Sequence, residues 1–152
     1  MKPGSECTFK NLHGFLFVSI LLLSACTRTP DEQRIRETIA QMQTAIAEGA
    51  PRDFMAHISD DFIGDRGTVD RNGLANLLRI EALRNEKEKV LLGPIDVTLQ
   101  GERATATLTA TFAGGSSGSV MPERASIYSI TSSWRKEGSN WRCYNAQWEQ
   151  KL

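Results

Sequence analysis

Ala104-Thr105-Ala106-Thr107-Leu108-Thr109-Ala110-Thr111-Phe112 alternates apolar and hydroxylated side chains at every step. Successive strand side chains point to opposite faces, so this run reads as a half-buried β-strand with an apolar face and a threonine face. Upstream, Ile95, Val97 and Leu99 alternate with Asp96, Thr98 and Gln100, and Gln100-Gly101-Glu102 makes a turn. Downstream, a strand is expected from Arg124 to Arg135 with Tyr128, Ile130 and Trp134 on one face. Lys136 to Asn140 then turns the chain into a last strand, Trp141 to Trp148. Hairpin-length connections imply antiparallel pairing. Gly114-Gly115-Ser116-Ser117-Gly118-Ser119 reads as a loop. A phosphate loop would need a following helix and a lysine, and here a strand follows.

Before Lys89 the apolar period is helical. Thr29 can cap a helix whose first turn holds Pro30, with Glu32 as a capping-box acid. Ile35, Ile39, Met42 and Ile46 form one stripe, and Gly49 and Pro51 end the helix. A second, short helix is expected from Pro51 to Ile58, burying Phe54 and Ile58. Ser59 to Gly67 reads as a connection with a short strand at Phe62-Ile63. Asp70 can cap a third helix from Arg71 to Arg84, with Leu74, Leu77, Leu78 and Leu83 mostly facing inward. Helices grouped ahead of strands indicate an α+β fold, the helices packed on one face of a curved antiparallel sheet.

The 152 residues, 40% of them hydrophobic, suit a single domain with a real core. Eighteen basic residues against 18 acidic ones argue against a nucleic-acid partner, which calls for a basic surplus. Three cysteines and two histidines leave little for a structural zinc site. Asp61, Asp65 and Asp70, with Gly64 and Gly67, lack the alternating ligand spacing and closing glutamate of a calcium loop. Neither metal nor cofactor is expected.

The first segment is an address. Lys2 and Lys10 precede an apolar run from Phe15 to Leu23, which closes on Leu23-Ser24-Ala25-Cys26. As a helix, Phe15 to Ala25 spans about 16 Å, roughly half of a ~30 Å hydrocarbon core. The closing tetrapeptide resembles the lipobox of bacterial lipoproteins. That resemblance implies a signal peptide over residues 1–25, diacylglycerol on the Cys26 thiol, and palmitate-type acylation of the new amine. Residues 26–30 are then a lipidated tether and 31–152 the domain. The bilayer becomes a partner through Cys26, and Thr27, where an Asp would favour the inner membrane, points to the periplasmic face of the outer membrane. Removing residues 1–25 leaves 16 bases against 17 acids, Cys143 as the one free thiol and His57 as the one histidine.

The element order resembles the nuclear transport factor 2-like superfamily from Asp31 to Trp148. It is carried by the stripe Ile35 to Ile46, Phe54 with Ser59-Asp60-Asp61-Phe62, Asp70-Arg71, and Trp134-Arg135…Gly138…Trp141-Arg142…Trp148. The resemblance implies a cone-shaped fold with a pocket, for which Ala106, Tyr128, Ile130 and Trp134 are the lining candidates. Small Ala104, Ala106 and Ala110 either let a helix approach closely, the plainer account, or leave a cavity. No acid/base pair stands out. An isomerase, dehydratase or cyclase would draw on His57 or Asp61 as base and Tyr128 or Tyr144 as donor, and would need them to converge. The main expectation is therefore a non-catalytic ligand- or protein-binding domain.

The face of Thr105, Thr107, Thr109 and Thr111, continued by Ser129, Thr131 and Ser133, can stay solvated or meet a second copy of the chain. Trp141 and Trp148, seven apart, fall on opposite faces of a regular strand; a bulge would change that parity.

Overall fold

A computed structural model describes residues 30–84, 89–114 and 124–151. Three helices, α1 (Pro30–Ala47), α2 (Pro51–Met55) and α3 (Arg71–Leu83), pack on one seven-stranded sheet. Its strands are β1 (Ile58–Gly64), β2 (Val69–Asp70), β3 (Lys89–Leu92), β4 (Asp96–Gln100), β5 (Arg103–Gly114), β6 (Arg124–Glu137) and β7 (Asn140–Gln150). The spatial order is β2-β1-β7-β6-β5-β3, with β4 sharing the β5 edge. Thr29, Cys26 and most of the Gly/Ser run lie outside the described residues.

The alternating run from Ala104 to Phe112 is the spine of the sheet. β5 pairs antiparallel with β6 from Arg103↔Arg135 to Gly114↔Arg124. Its other edge is shared, by β4 at the Arg103 end and β3 at the Phe112 end, on either side of Gly93-Pro94. The β4–β5 and β6–β7 hairpins turn through two residues with glycine first, Gly101 at φ +63° and Gly138 at φ +62°. A positive φ at the first central position is what two-residue hairpins with a right-handed strand twist require.

The all-antiparallel expectation is corrected at one seam, because β1 pairs with β7 in parallel. Hairpin logic fixes the direction of successive strands only. Between β1 and β7 lie α3 and five further strands, so no tight turn dictates the direction of β1 relative to β7. The second helix also stops earlier than expected, at Met55, and Ile58 and Ser59 open β1 instead. Both are fully buried, and the β1–β7 register shifts between Ile58 and Ile63.

α1 buries Ile35 and Ile39 on the sheet and is pinned at three places. Arg36 Nε donates to the Ile95 carbonyl at 3.1 Å, and Gln43 Nε2 to that of Val90 at 2.6 Å. At the helix start, Asp31 accepts from the Trp141 indole at 3.0 Å and from Lys136 Nζ at 3.2 Å. α3 is held more lightly. Asp70 Oδ1 caps it by accepting from Gly73 N at 2.7 Å, and Leu74 and Leu78 pack against the core. Leu77 and Leu83 do not follow them inward; they are 47% and 78% exposed. Leu74 and Leu78 are one helical turn apart on the inner face, which leaves Leu77 at its rim and Leu83 at the helix end.

Both β7 tryptophans also face inward, against the parity of a regular strand. Trp134 pairs with Cys143 but Ser133 with Asn145, so Tyr144 is an extra residue, a β-bulge. Before the bulge Trp141 and Cys143 point to the core; after it Ala146 and Trp148 do. The Cys143 thiol closes the irregularity by donating to the Asn145 carbonyl at 3.3 Å.

Candidate functional site

The concave side of the sheet and the three helices enclose a cavity of about 490 Å3, within the ~300–1,000 Å3 of small-molecule sites. Its buried floor comprises Ile58, Phe62, Leu108, Ala110, Trp134 and Cys143. α1 contributes Ile39, Met42 and Ile46. The exposed lining residues Leu77 and Glu81 both belong to α3, so the cavity meets solvent beside that helix.

Most polar groups of the lining are already engaged. Ser132 Oγ accepts from Trp134 Nε1 at 2.9 Å and donates to the Ala106 carbonyl at 3.3 Å. Gln43 is committed to Val90, and Glu81 pairs with Arg84 at 3.1 Å. Burial pushes the Cys143 thiol up to about 12, so it stays protonated and inert at neutral pH. Two hydroxyls remain, Ser126 and Tyr128, two residues apart on the inward face of β6. Neither makes a hydrogen bond among the described residues; the Tyr128 ring meets the edge of Phe112 at 5.6 Å between centroids. Among the described residues the lining holds no lysine, arginine or histidine.

Of the lining candidates, Tyr128, Ile130 and Trp134 border this space, whereas Ala106 is sealed in the core beside it. The acid/base candidates do not converge. Only Tyr128 reaches the cavity. Asp61 lies on the outer sheet face, where both its oxygens accept from Arg135, at 2.8 and 2.6 Å, and this ion pair lowers its pKa. Tyr144 sits on that face too, under the Arg103 and Arg135 guanidinium groups at 5.9 and 5.4 Å. His57 lies at the α2–β1 junction, its pKa lowered by burial and then by the Arg142 cation. The aspartates of the calcium spacing are otherwise used, since Asp65 accepts from the Thr68 hydroxyl at 3.0 Å and Asp70 caps α3.

Sequence reasoning missed the α3 and β3 side of the cavity, Leu78, Glu81 and Val90 among it. The signal present was the leucine spacing of α3, which shows an apolar stripe and not what the stripe faces. Also missed was the outer row Arg103↔Arg135↔Arg142, three arginines directly opposed across β5, β6 and β7. Like charges so placed repel, and Glu137 offsets this by pairing with Arg135 at 2.7 Å and Arg142 at 3.4 Å.

No protein-family model matches the chain, and no curated protein matches it by sequence. Solved structures do match. An NTF2-like protein with a cystatin-like fold from Novosphingobium aromaticivorans is 23% identical at a TM-score of 0.66, over 78% of this chain and 80% of that one. A candidate dehydratase of the NTF2-like family from Streptomyces avermitilis is 12% identical at 0.69, over 80% and 97%. Bd1075 of Bdellovibrio bacteriovorus is 8% identical at 0.66 over 77% of this chain, which spans only 40% of that longer protein. Identities this low speak to fold alone: the chain has the cystatin-like α+β fold of the nuclear transport factor 2-like proteins.

Proposed function

We propose that this chain is a membrane-tethered binding protein whose domain takes up an apolar small molecule without turning it over. The observation that carries the binding half is the cavity, apolar on most sides, with two hydroxyls that make no hydrogen bond among the described residues. What sets catalysis aside is the scatter of the acid/base candidates over both faces of the sheet. A proton-transfer reaction needs such groups within hydrogen-bond reach of one substrate.

The test is direct. Organic extraction of the purified protein followed by mass spectrometry should release an apolar compound, and the neutral dye N-phenyl-1-naphthylamine should brighten on binding. Ala110→Phe, which fills the space from its floor, should lose both while still melting cooperatively. Protein that yields no extract and leaves the dye dark would overturn the reading.

The tether is the acylated Cys26. No helix among the described residues is long and apolar enough to cross a membrane. Several acyl chains at about 0.8 kcal/mol per buried methylene hold a protein durably. Globomycin should leave an unprocessed precursor in cells, and normal processing in its presence would remove the anchor from the proposal. Outer-membrane residence facing the periplasm follows from the same reading, and the hydroxylated outer face separately supports a homodimer. Sedimentation of the acyl-free chain as a monomer would discard that dimer.

A further inference from the structure

We infer that the cavity selects uncharged, singly polar amphiphiles, long-chain alcohols or their neutral esters and ketones, over fatty carboxylates of the same chain length. The inference rests on the binding reading above and goes further by naming the ligand class. A carboxylate drawn into this space would give up its hydration and find no cation. Among the described residues the lining holds no lysine, arginine or histidine, and its one charged residue, Glu81, carries the wrong sign. A buried ion without a partner is strongly disfavoured.

Several described bases are committed to other partners, Arg84 to Glu81 itself at 3.1 Å. Arg36 binds the Ile95 carbonyl and Glu32, Lys136 binds Asp31, and Arg135 and Arg142 lie on the outer face with Asp61 and Glu137. A neutral oxygen fares differently. The Ser126 and Tyr128 hydroxyls share one side of the lining and each can donate or accept, so one alcohol or carbonyl oxygen on the ligand is matched without a charge. The remaining lining offers only carbon and already bonded polar groups, which suits a single alkyl body. The volume equals roughly 16 water molecules at ~30 Å3 each, room for a chain of about a dozen carbons.

Competition against N-phenyl-1-naphthylamine on the purified full chain, stripped of co-purifying lipid, tests this at pH 8. Dodecanol should displace the dye at concentrations at least about tenfold lower than dodecanoate. Tyr128→Phe should weaken dodecanol about three- to tenfold more than it weakens the dye, the worth of one hydrogen bond. Equal displacement by alcohol and carboxylate, or stronger displacement by the carboxylate, overturns the charge selection while the cavity reading survives. A dye that never binds overturns the cavity reading itself, and the selectivity with it. The alcohol-to-carboxylate comparison is made on the unaltered chain, so misfolding of a variant does not cloud it.

Discussion

Ser132 carries two hydrogen bonds on one hydroxyl where water has little access. The residue is 5% exposed and Trp134, whose indole it accepts from, 1%. Ser132→Ala leaves that N–H buried without a partner, and such an orphan costs about 1–3 kcal/mol. Urea denaturation should show an unfolding free energy lowered by that amount, as a lower midpoint at unchanged slope. His57 sets a pH dependence. Its folded-state pKa lies below the ordinary 6.5, so on acidification the unfolded chain takes up the proton first. The stability this contributes is therefore complete above about pH 6.5 and lost as pH falls through the folded-state value. His57→Gln should flatten the fall of the melting temperature on acidification below pH ~6.5; parallel curves for variant and parent would contradict the assignment. Asp31, held low by Trp141 and Lys136, Asp61 by Arg135, and Glu137 by Ser59 and Arg135 add a second loss of the same sign below about pH 4. At this scale the sequence was a poor guide. It offered His57, Asp61, Tyr128 and Tyr144 as chemistry, but which of them meet depends on sheet face and on partners such as Arg135, more than seventy residues from Asp61.

Elements were far more legible, and the failures have one cause. The α1 stripe, the β5 alternation and the Asp70 cap are local patterns, and each stands where its period placed it. The parallel β1–β7 seam, the early end of α2 and the bulge at Tyr144 are settled by tertiary packing. The inserted residue at Tyr144 moves Trp148 to the inner face, where its ring fills the place a side chain at position 64 would take. A Cβ on Gly64 would lie 2.9 Å from Trp148 Cη2 and 3.0 Å from the Phe62 ring. The Gly64 φ of −123° suits any residue, so the demand there is for space. Gly64→Ala should cost about 1–3 kcal/mol through overpacking. The double variant with Trp148→Phe should recover part of the loss in a thermodynamic cycle, and strict additivity would separate the two sites.

For the molecule as a whole, support is uneven, and the unevenness coincides with the cavity. α1 is tied to the sheet by Asp31, Arg36 and Gln43, whereas α3 buries no residue fully, and Leu77, Ile80 and Leu83 stay open to solvent. Segments with few buried contacts open at low free energy. Amide hydrogen exchange should therefore be fast along α3 relative to α1 and β5–β7, and N-phenyl-1-naphthylamine should slow it in α3 first. Uniform protection of the three helices would contradict this. The sequence disclosed the layers, helices over a bent sheet, because hydrophobic periods encode them. It did not disclose that the space between them is left unfilled, since Ala104, Ala106 and Ala110 serve close packing and cavity alike: the first two are sealed in the core and only Ala110 borders the void.

The placement of the indoles gives the unlabelled protein its own optical readout. All three tryptophans of the chain turn inward, and two of them, Trp134 and Trp148, border the cavity while Trp141 stands apart against Asp31. Ultraviolet emission should be blue-shifted and shielded from iodide. A brominated long-chain alcohol taken inside should dim two emitters and spare the third, leaving a residual glow of constant colour at saturation.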